Sequence, residues 1–283
     1  MTIHQLKEHL SQRLAGIYSA GESDFLHRHL VSHCCEIDFA QVRFCGEMVM
    51  TDQQRAEYLD FAKRLSHNEP LQYVLGYTEF YGLRLAVRPG VLIPRPETEE
   101  LVHHIVQLTG SKRVKILDIG TGSGCIAAAL ASNCPNADVH AADISADALA
   151  IASENALANK LKITFSHIDI LDWQETADCL ADWDIIVSNP PYIRIEEQKL
   201  MHANVLNHEP YLALFVSDED PLIFYRSIAQ YGQQSLRSGG QLFFEINEQL
   251  AKETADMLGR KGFQNIQIFQ DLQGKDRWIS CIR

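Results

Sequence analysis

The chain contains no Cys-x-x-Cys pair, and its seven cysteines (Cys34, Cys35, Cys45, Cys125, Cys134, Cys179 and Cys281) are odd in number. That pattern argues against both a disulfide framework and a zinc ribbon, and it predicts reduced thiols in a cytoplasm. Positive charge is scarce too: 25 Lys and Arg stand against 37 Asp and Glu, a formal net charge of -12. Stable nucleic-acid binding needs clustered cations, so a general nucleic-acid binder is not expected. Long apolar runs are missing, mean hydropathy is -0.14, and residues 1–10 carry no apolar h-region. Neither a membrane span nor a signal peptide is expected. Repeats and low-complexity tracts are absent as well. What remains is a composition with 46% hydrophobic and 22% charged residues, enough to bury a sizeable core in about two domains.

Residues 1–75 read as a small helical domain that engages a substrate. Leu6, Leu10, Leu14 and Ile17 share one helical face. A second helix is expected over Ser23–His33, starting near Gly21 or Ser23, and a third from Thr51, where Thr51-Asp-Gln-Gln54 resembles a capping box. His27, His29, His33, Cys34 and Cys35 cluster in the second helix, but their spacing matches no zinc site, and no metal is assigned. Residues 76–95, rich in strand formers and punctuated by Gly82 and Pro89-Gly90, predict a β-hairpin linker. From residue 96 to 283 a helix near Glu97 leads into alternating strands and helices. Strands are expected at Val114–Gly120, Asp138–Ile144, Ile163–Asp169, Trp183–Asn189, Gly240–Asn247, Phe263–Gln270 and Trp278–Ile282. The fold class is α/β, a doubly wound, mostly parallel seven-stranded sheet. Its last two strands must be antiparallel, because residues 271–277 are too few for a parallel crossover.

The first strand of this sheet runs into Gly120-Thr121-Gly122-Ser123-Gly124, a loop at the carboxyl edge where such sheets bind ligands. A dinucleotide fingerprint would put its third glycine at 125, where Cys125 stands, so a nicotinamide oxidoreductase is disfavoured. Asp143 ends the second strand, placed to accept from ribose hydroxyls. Asp172 and Trp173 follow the third, an acid and an aromatic suited to an adenine. In sheet order these residues predict an adenosine-bearing cofactor.

The fourth strand ends in Asn189-Pro190-Pro191-Tyr192. Two prolines stiffen the turn. The Asn189 side chain and Pro190 carbonyl can accept the hydrogens of an incoming NH2 group, and Tyr192 can offer a ring face under a planar substrate. An amide nitrogen is a poor nucleophile because its lone pair is delocalised. Two acceptors that orient it and favour the positive charge it develops would allow direct attack on a methyl sulfonium.

These motifs resemble those of S-adenosylmethionine-dependent methyltransferases acting on planar nitrogens. Pro70-Leu-Gln-Tyr-Val-Leu-Gly76, Leu92-Ile-Pro-Arg-Pro-Glu-Thr-Glu99, residues 118–125, Asn189-Pro-Pro-Tyr-Ile193, His208-Glu-Pro-Tyr-Leu-Ala-Leu214 and residues 271–277 together resemble the release factor glutamine methyltransferases (the PrmC/HemK family). The resemblance implies the class I methyltransferase fold and methylation of the Gly-Gly-Gln glutamine of peptide chain release factors. It also implies that Gly120–Gly124, Asp143, Trp173 and Asn189 contact S-adenosylmethionine and that residues 189–192 hold the glutamine. Asn189, Pro190 and Tyr192 are then the catalytic set. Arg95 and Glu97 are expected at the pocket entrance, with Glu209 bracing the turn or lying as a surface acid. Rival readings are a DNA adenine-N6 methyltransferase, which the acidic charge opposes, a ribosomal-protein glutamine methyltransferase, and a binding module without catalysis. A monomer is expected.

Overall fold

A computed structural model describes residues 1–175 and 182–283; Cys179 falls outside them. The chain divides into two compact units, Met1–Tyr77 with His202–His208 and Thr78–Met201 with Glu209–Arg283.

The first unit holds α1 (Ile3–Arg13), α2 (Ala20–Cys35), α3 (Asp52–Leu65) and α4 (Leu71–Leu75). The three long helices begin alike, with reciprocal capping boxes in Thr2/Gln5, Ser19/Glu22 and Thr51/Gln54. The box at Ser19 is why α2 starts before Gly21 and Ser23. Leu6, Leu10 and Leu14 are fully buried, whereas Ile17 lies beyond the end of α1 and is exposed. Tyr58 is fully buried; its hydroxyl donates to the Leu6 carbonyl at 3.3 Å and lies 2.8 Å from His27 Nδ1. His27 then donates to the phenol oxygen, and burial holds its pKa down at about 4. The Cys34 thiol is buried and pushed up to about 12.

β1 (Tyr77–Phe80), which opens on the last residue of the first unit's main segment, and β2 (Leu83–Ala86) form the two-stranded sheet of the hairpin. Next come α5 (Pro96–Thr109), β3 (Lys115–Ile119), α6 (Cys125–Asn133), β4 (Asp138–Asp143), α7 (Ala146–Ala158), β5 (Thr164–His167) and β6 (Trp183–Ser188). A short parallel pair, β7 (Ile193–Arg194) and β8 (Phe215–Val216), brackets α8 (Ala203–His208), which belongs to the first unit, and α9 (Tyr211–Leu214). The chain closes with α10 (Ile223–Ser235), β9 (Leu236–Glu245), α11 (Ala251–Arg260), β10 (Gln264–Gln270) and β11 (Asp276–Ile282).

The main sheet has seven strands in the order β10-β11-β9-β6-β3-β4-β5. Its β9-to-β5 part is parallel, and β11 pairs antiparallel with both β9 and β10. Period-two alternation sends Ile116, Ile185, Val187 and Phe243 into one core with α5 and α6. Leu117, Ile119, Ile186, Leu242 and Phe244 go into the other, with α10 and α11. Every residue of β6 is buried. The strand order reverses between β3 and β6, so their carboxyl ends open a crevice at the switch point.

Candidate active site

Three glycines shape the loop after β3, with φ of 71° at Gly120, 55° at Gly122 and 78° at Gly124. Both Gly120 N–H and Thr121 N–H donate to the Ala142 carbonyl, at 2.8 and 3.0 Å, which pins the loop to the end of β4. Asp143 holds it from the side. Its Oδ2 accepts from Gly122 N–H at 2.8 Å and its Oδ1 from Ser145 N–H at 2.9 Å. Burial raises the Asp143 carboxyl, and those two bonds pull it back down. Asn155 Nδ2 donates to the Ser123 carbonyl at 2.9 Å and to the Ala86 carbonyl at 3.0 Å, so the hairpin and α7 support the same loop.

Below the loop lies Asp118, fully buried. Thr121 Oγ1 donates to its Oδ2 at 2.6 Å, while Oδ1 has no partner among the described residues. Desolvation pushes this carboxyl up to about 7. Well below pH 4 the group is neutral folded or unfolded and costs folding nothing. As pH rises from about 4 to about 7 the unfolded carboxyl ionises and the folded one stays protonated, so stability falls, by up to ~1.4 kcal/mol per pH unit. We expect Asp118→Asn to remove that fall. Urea unfolding of the two proteins at pH 4.5 and pH 7 checks it; an equal drop in both would assign the pH dependence elsewhere.

On the neighbouring strand, Ser188 Oγ donates to the Ile119 carbonyl at 2.6 Å, locking β6 to β3 just before the Asn-Pro-Pro-Tyr turn. A cavity of about 330 Å³ joins the two strand ends. Gly120–Ser123, Asp143–Ser145, Ile168–Leu171, Asn189–Pro191, Leu212 and Ala213 all line it. That volume suits a small ligand with one polar and one apolar end. The Asn189 side chain has no hydrogen-bond partner among the described residues, and it faces this space.

Several expected residues fall elsewhere. Trp173 does not line the cavity; it is a core residue with its ring against Tyr231 at 5.3 Å. The reason is local: Asp169 accepts from Leu171 N–H and its carbonyl from Asp172 N–H. That turn presents Ile170 and Leu171 to the cavity, with Trp173 next along the chain in the core. Gly124 is likewise absent from the lining, because it packs on α7. Tyr192 is absent from the lining too, against the ring face expected of it: its hydroxyl donates to the buried Glu245 at 2.9 Å. Arg95 lines the cavity, but Glu97 faces a separate, more open groove of about 790 Å³ along α5 and the β10–β11 hairpin. Glu209 makes no hydrogen bond to the turn among the described residues, and it does not lie on the surface. With a side chain only 1% exposed, it accepts from Ile93 N–H at 3.1 Å and Arg95 at 2.6 Å, and so fixes the segment that carries Arg95.

Thr98, Glu245 and Asn247 escaped the sequence reading. The available signal was an acid at the end of the apolar run Leu242-Phe-Phe-Glu245.

Two family models match the chain, the methyltransferase small domain over residues 96–212 and the PrmC N-terminal domain over residues 5–76. A release factor glutamine methyltransferase of Flavobacterium psychrophilum is 42% identical over 283 residues, covering 99% of this chain and 98% of its own length. One from Bacteroides thetaiotaomicron is 41% identical, covering 99% and 100%. Among solved structures, a T. thermophilus 16S rRNA methyltransferase in complex with AdoMet and guanosine matches 73% of this chain and 49% of its own, with a TM-score of 0.52 and 21% identity. At that identity the likeness is one of fold.

Proposed function

The chain belongs to the release factor glutamine methyltransferase family, and from that premise we propose how its cavity carries out the reaction. It is an S-adenosylmethionine-dependent protein-glutamine methyltransferase acting on release factors. The observation that carries the assignment of roles is the unpartnered Asn189 amide, facing a cavity whose other wall is the glycine loop and Asp143.

The residues present fit the cofactor. Glycine backbone at 120 and 122 leaves open space where a Cβ would stand, and the Asp143 carboxylate keeps free lone pairs beyond its two backbone bonds. We assign the Gly120–Gly124 loop and Asp143 to the adenosine and methionine parts of the cofactor, with Ile170 and Leu171 taking the adenine place first expected of Trp173. When bound, S-adenosylmethionine supplies a methyl group activated by its sulfonium charge.

The chain's own work is orientation. Asn189 Oδ1 and the Pro190 carbonyl accept the two hydrogens of the substrate amide and turn its nitrogen lone pair toward the methyl donor. As the C–N bond formed and the methyl's C–S bond broke, the nitrogen would become positive, and both acceptors would strengthen with it. The extra proton would then pass to solvent. Pro191 keeps the turn rigid and Tyr192 supports it from the side. The glutamine is that of the Gly-Gly-Gln loop, and the first unit engages the body of the release factor. We read the protein as a cytoplasmic monomer without stable nucleic-acid binding; the net charge of -12 supports the last of these.

Labelled methyl transfer to a purified release factor, beside one whose Gly-Gly-Gln glutamine is alanine, tests the reading. Label on the first alone is expected; label on neither, or on both, would overturn it. Asp143→Ala removes the acceptor that holds Gly122 and Ser145. We expect S-adenosylmethionine affinity to fall about 10- to 100-fold, from the loss of charge-assisted bonds each worth roughly 1.5–3 kcal/mol. Transfer should return at saturating cofactor. Calorimetric titration showing unchanged affinity would remove Asp143 from the cofactor site.

A further inference from the structure

Tyr192 is held at two points, by Glu245 at the end of β9 and by Asn247 just after it. At the end of β9, Glu245 Oε1 accepts from the Tyr192 hydroxyl at 2.9 Å, and Oε2 accepts from Thr98 Oγ1 at 2.6 Å. Two residues on, Asn247 Nδ2 donates to the Tyr192 carbonyl at 3.2 Å. The Glu245 backbone is fixed as well, since the Tyr225 hydroxyl donates to its carbonyl at 3.1 Å. Glu245 is 2% exposed and follows the fully buried Leu242, Phe243 and Phe244.

A carboxyl group in such a place is costly, and an apolar residue of similar volume would serve packing as well or better. Its two oxygens are nevertheless both used, one by the turn that faces the substrate and one by the first turn of α5. The three groups come from chain positions 98, 192 and 245 and form one continuous buried strand of hydrogen bonds.

We propose that Glu245 is a positioning residue for methyl transfer: it fixes the Tyr192 ring, and with Asn247 the backbone of the turn, so that Asn189 and Pro190 meet the substrate nitrogen at set distances. The inference rests on the reading of the turn given above. Burial among apolar groups and the nearby acid hold the Tyr192 phenol well above its ordinary range, so it stays a donor to Glu245. Burial also raises the Glu245 carboxyl, against the opposing bonds from Thr98 and Tyr192. Oε1 can accept in either protonation state.

The test compares single-turnover methyl transfer to a release factor at saturating S-adenosylmethionine, with cofactor affinity and Tm, for the full chain and four variants. Glu245→Ala and Tyr192→Phe should each slow transfer about 10- to 100-fold, the cost of a misplaced turn. The double variant should be no slower than Glu245→Ala by more than about threefold, because both changes break one bond. Glu245→Gln, which keeps an acceptor for Tyr192, should stay within about fivefold of wild type. Cofactor affinity should hold within about threefold throughout, which a general loss of structure would not permit. Additive rate losses, a fast Glu245→Ala enzyme, or a parallel loss of cofactor affinity would overturn the proposal. Should Glu245→Ala fail to fold, Tyr192→Phe against Glu245→Gln decides: a slow first and fast second support it, any other pattern overturns it. No transfer by the wild-type chain would instead overturn the reading of the turn itself.

Discussion

Asn189→Ala is expected to lower methyl transfer to a release factor by about 10²- to 10³-fold in kcat, the effect of removing one preorganised polar group from a reacting centre. The side chain is free to act in this way because nothing among the described residues claims it. It has no hydrogen-bond partner among the described residues and lines the 330 Å³ cavity. Removing it leaves no buried group unsatisfied, so Tm should move little. The Pro190 carbonyl would remain as a single acceptor, unable alone to fix the rotation of the substrate amide. Asn189→Asp keeps an acceptor oxygen at nearly the same place and should retain more activity than alanine does. Cofactor affinity should fall less than about tenfold in either case, since the loop and Asp143 are untouched. A kcat for Asn189→Ala within tenfold of wild type, measured with saturating cofactor, would remove Asn189 from the reaction.

Much of this site was legible because its parts lie at strand ends, and strands announce themselves. The largely apolar stretches 116–119, 139–142 and 185–188, each with one polar residue, set β3, β4 and β6; helical spacing between them dictated parallel pairing, and parallel pairing placed the residue after each strand at one edge. Gly120, Asp143 and Asn189 thus came together by topology alone. Residues whose position depends on a single local turn were harder. Nothing in Asp169-Ile-Leu-Asp-Trp173 shows that Asp169 will cap its own loop and so leave Trp173 in the core against Tyr231. Partners far apart in sequence were harder still. Glu209 meets Ile93 across 116 positions and Glu245 meets Thr98 across 147, pairings that no periodicity encodes. The Thr51 capping box was legible as it stands, but the start of α2 was not, because Ser19 and Glu22 close a capping box just ahead of Gly21 and Ser23.

Gly124→Ala is expected to destabilise the protein by about 2–5 kcal/mol, although it adds one methyl group. Two costs combine. Gly124 caps α6 at φ 78° and ψ 13°, left-handed backbone that charges an L-residue roughly 1–2 kcal/mol. Its new Cβ would also stand 2.9 Å from Ala152 Cβ and 3.2 Å from Ala152 Cα on α7, and overpacking of that kind costs about 1–3 kcal/mol. At about 2–4 °C per kcal/mol for a domain of this size, Tm should drop by roughly 4–20 °C. The contact can be separated from the strain. Gly122 has positive φ too, but a Cβ there meets nothing within 4 Å, so Gly122→Ala should cost only the strain, about 1–2 kcal/mol. Ala152→Gly in the Gly124→Ala background should recover part of the loss, less about 1 kcal/mol for glycine inside a helix. The effect also reaches the cavity. Gly124 N–H donates to the Thr121 carbonyl at 2.8 Å and Ala128 N–H to the Gly124 carbonyl at 2.8 Å, so the cap cannot retreat from α7 without dragging the loop that runs from Gly120. Cofactor affinity should therefore fall along with Tm in Gly124→Ala and recover with it in the double variant. Equal Tm values for Gly124→Ala and Gly122→Ala would show that α7 yields to the methyl group, and that the close approach of α7 does not set the position of the loop.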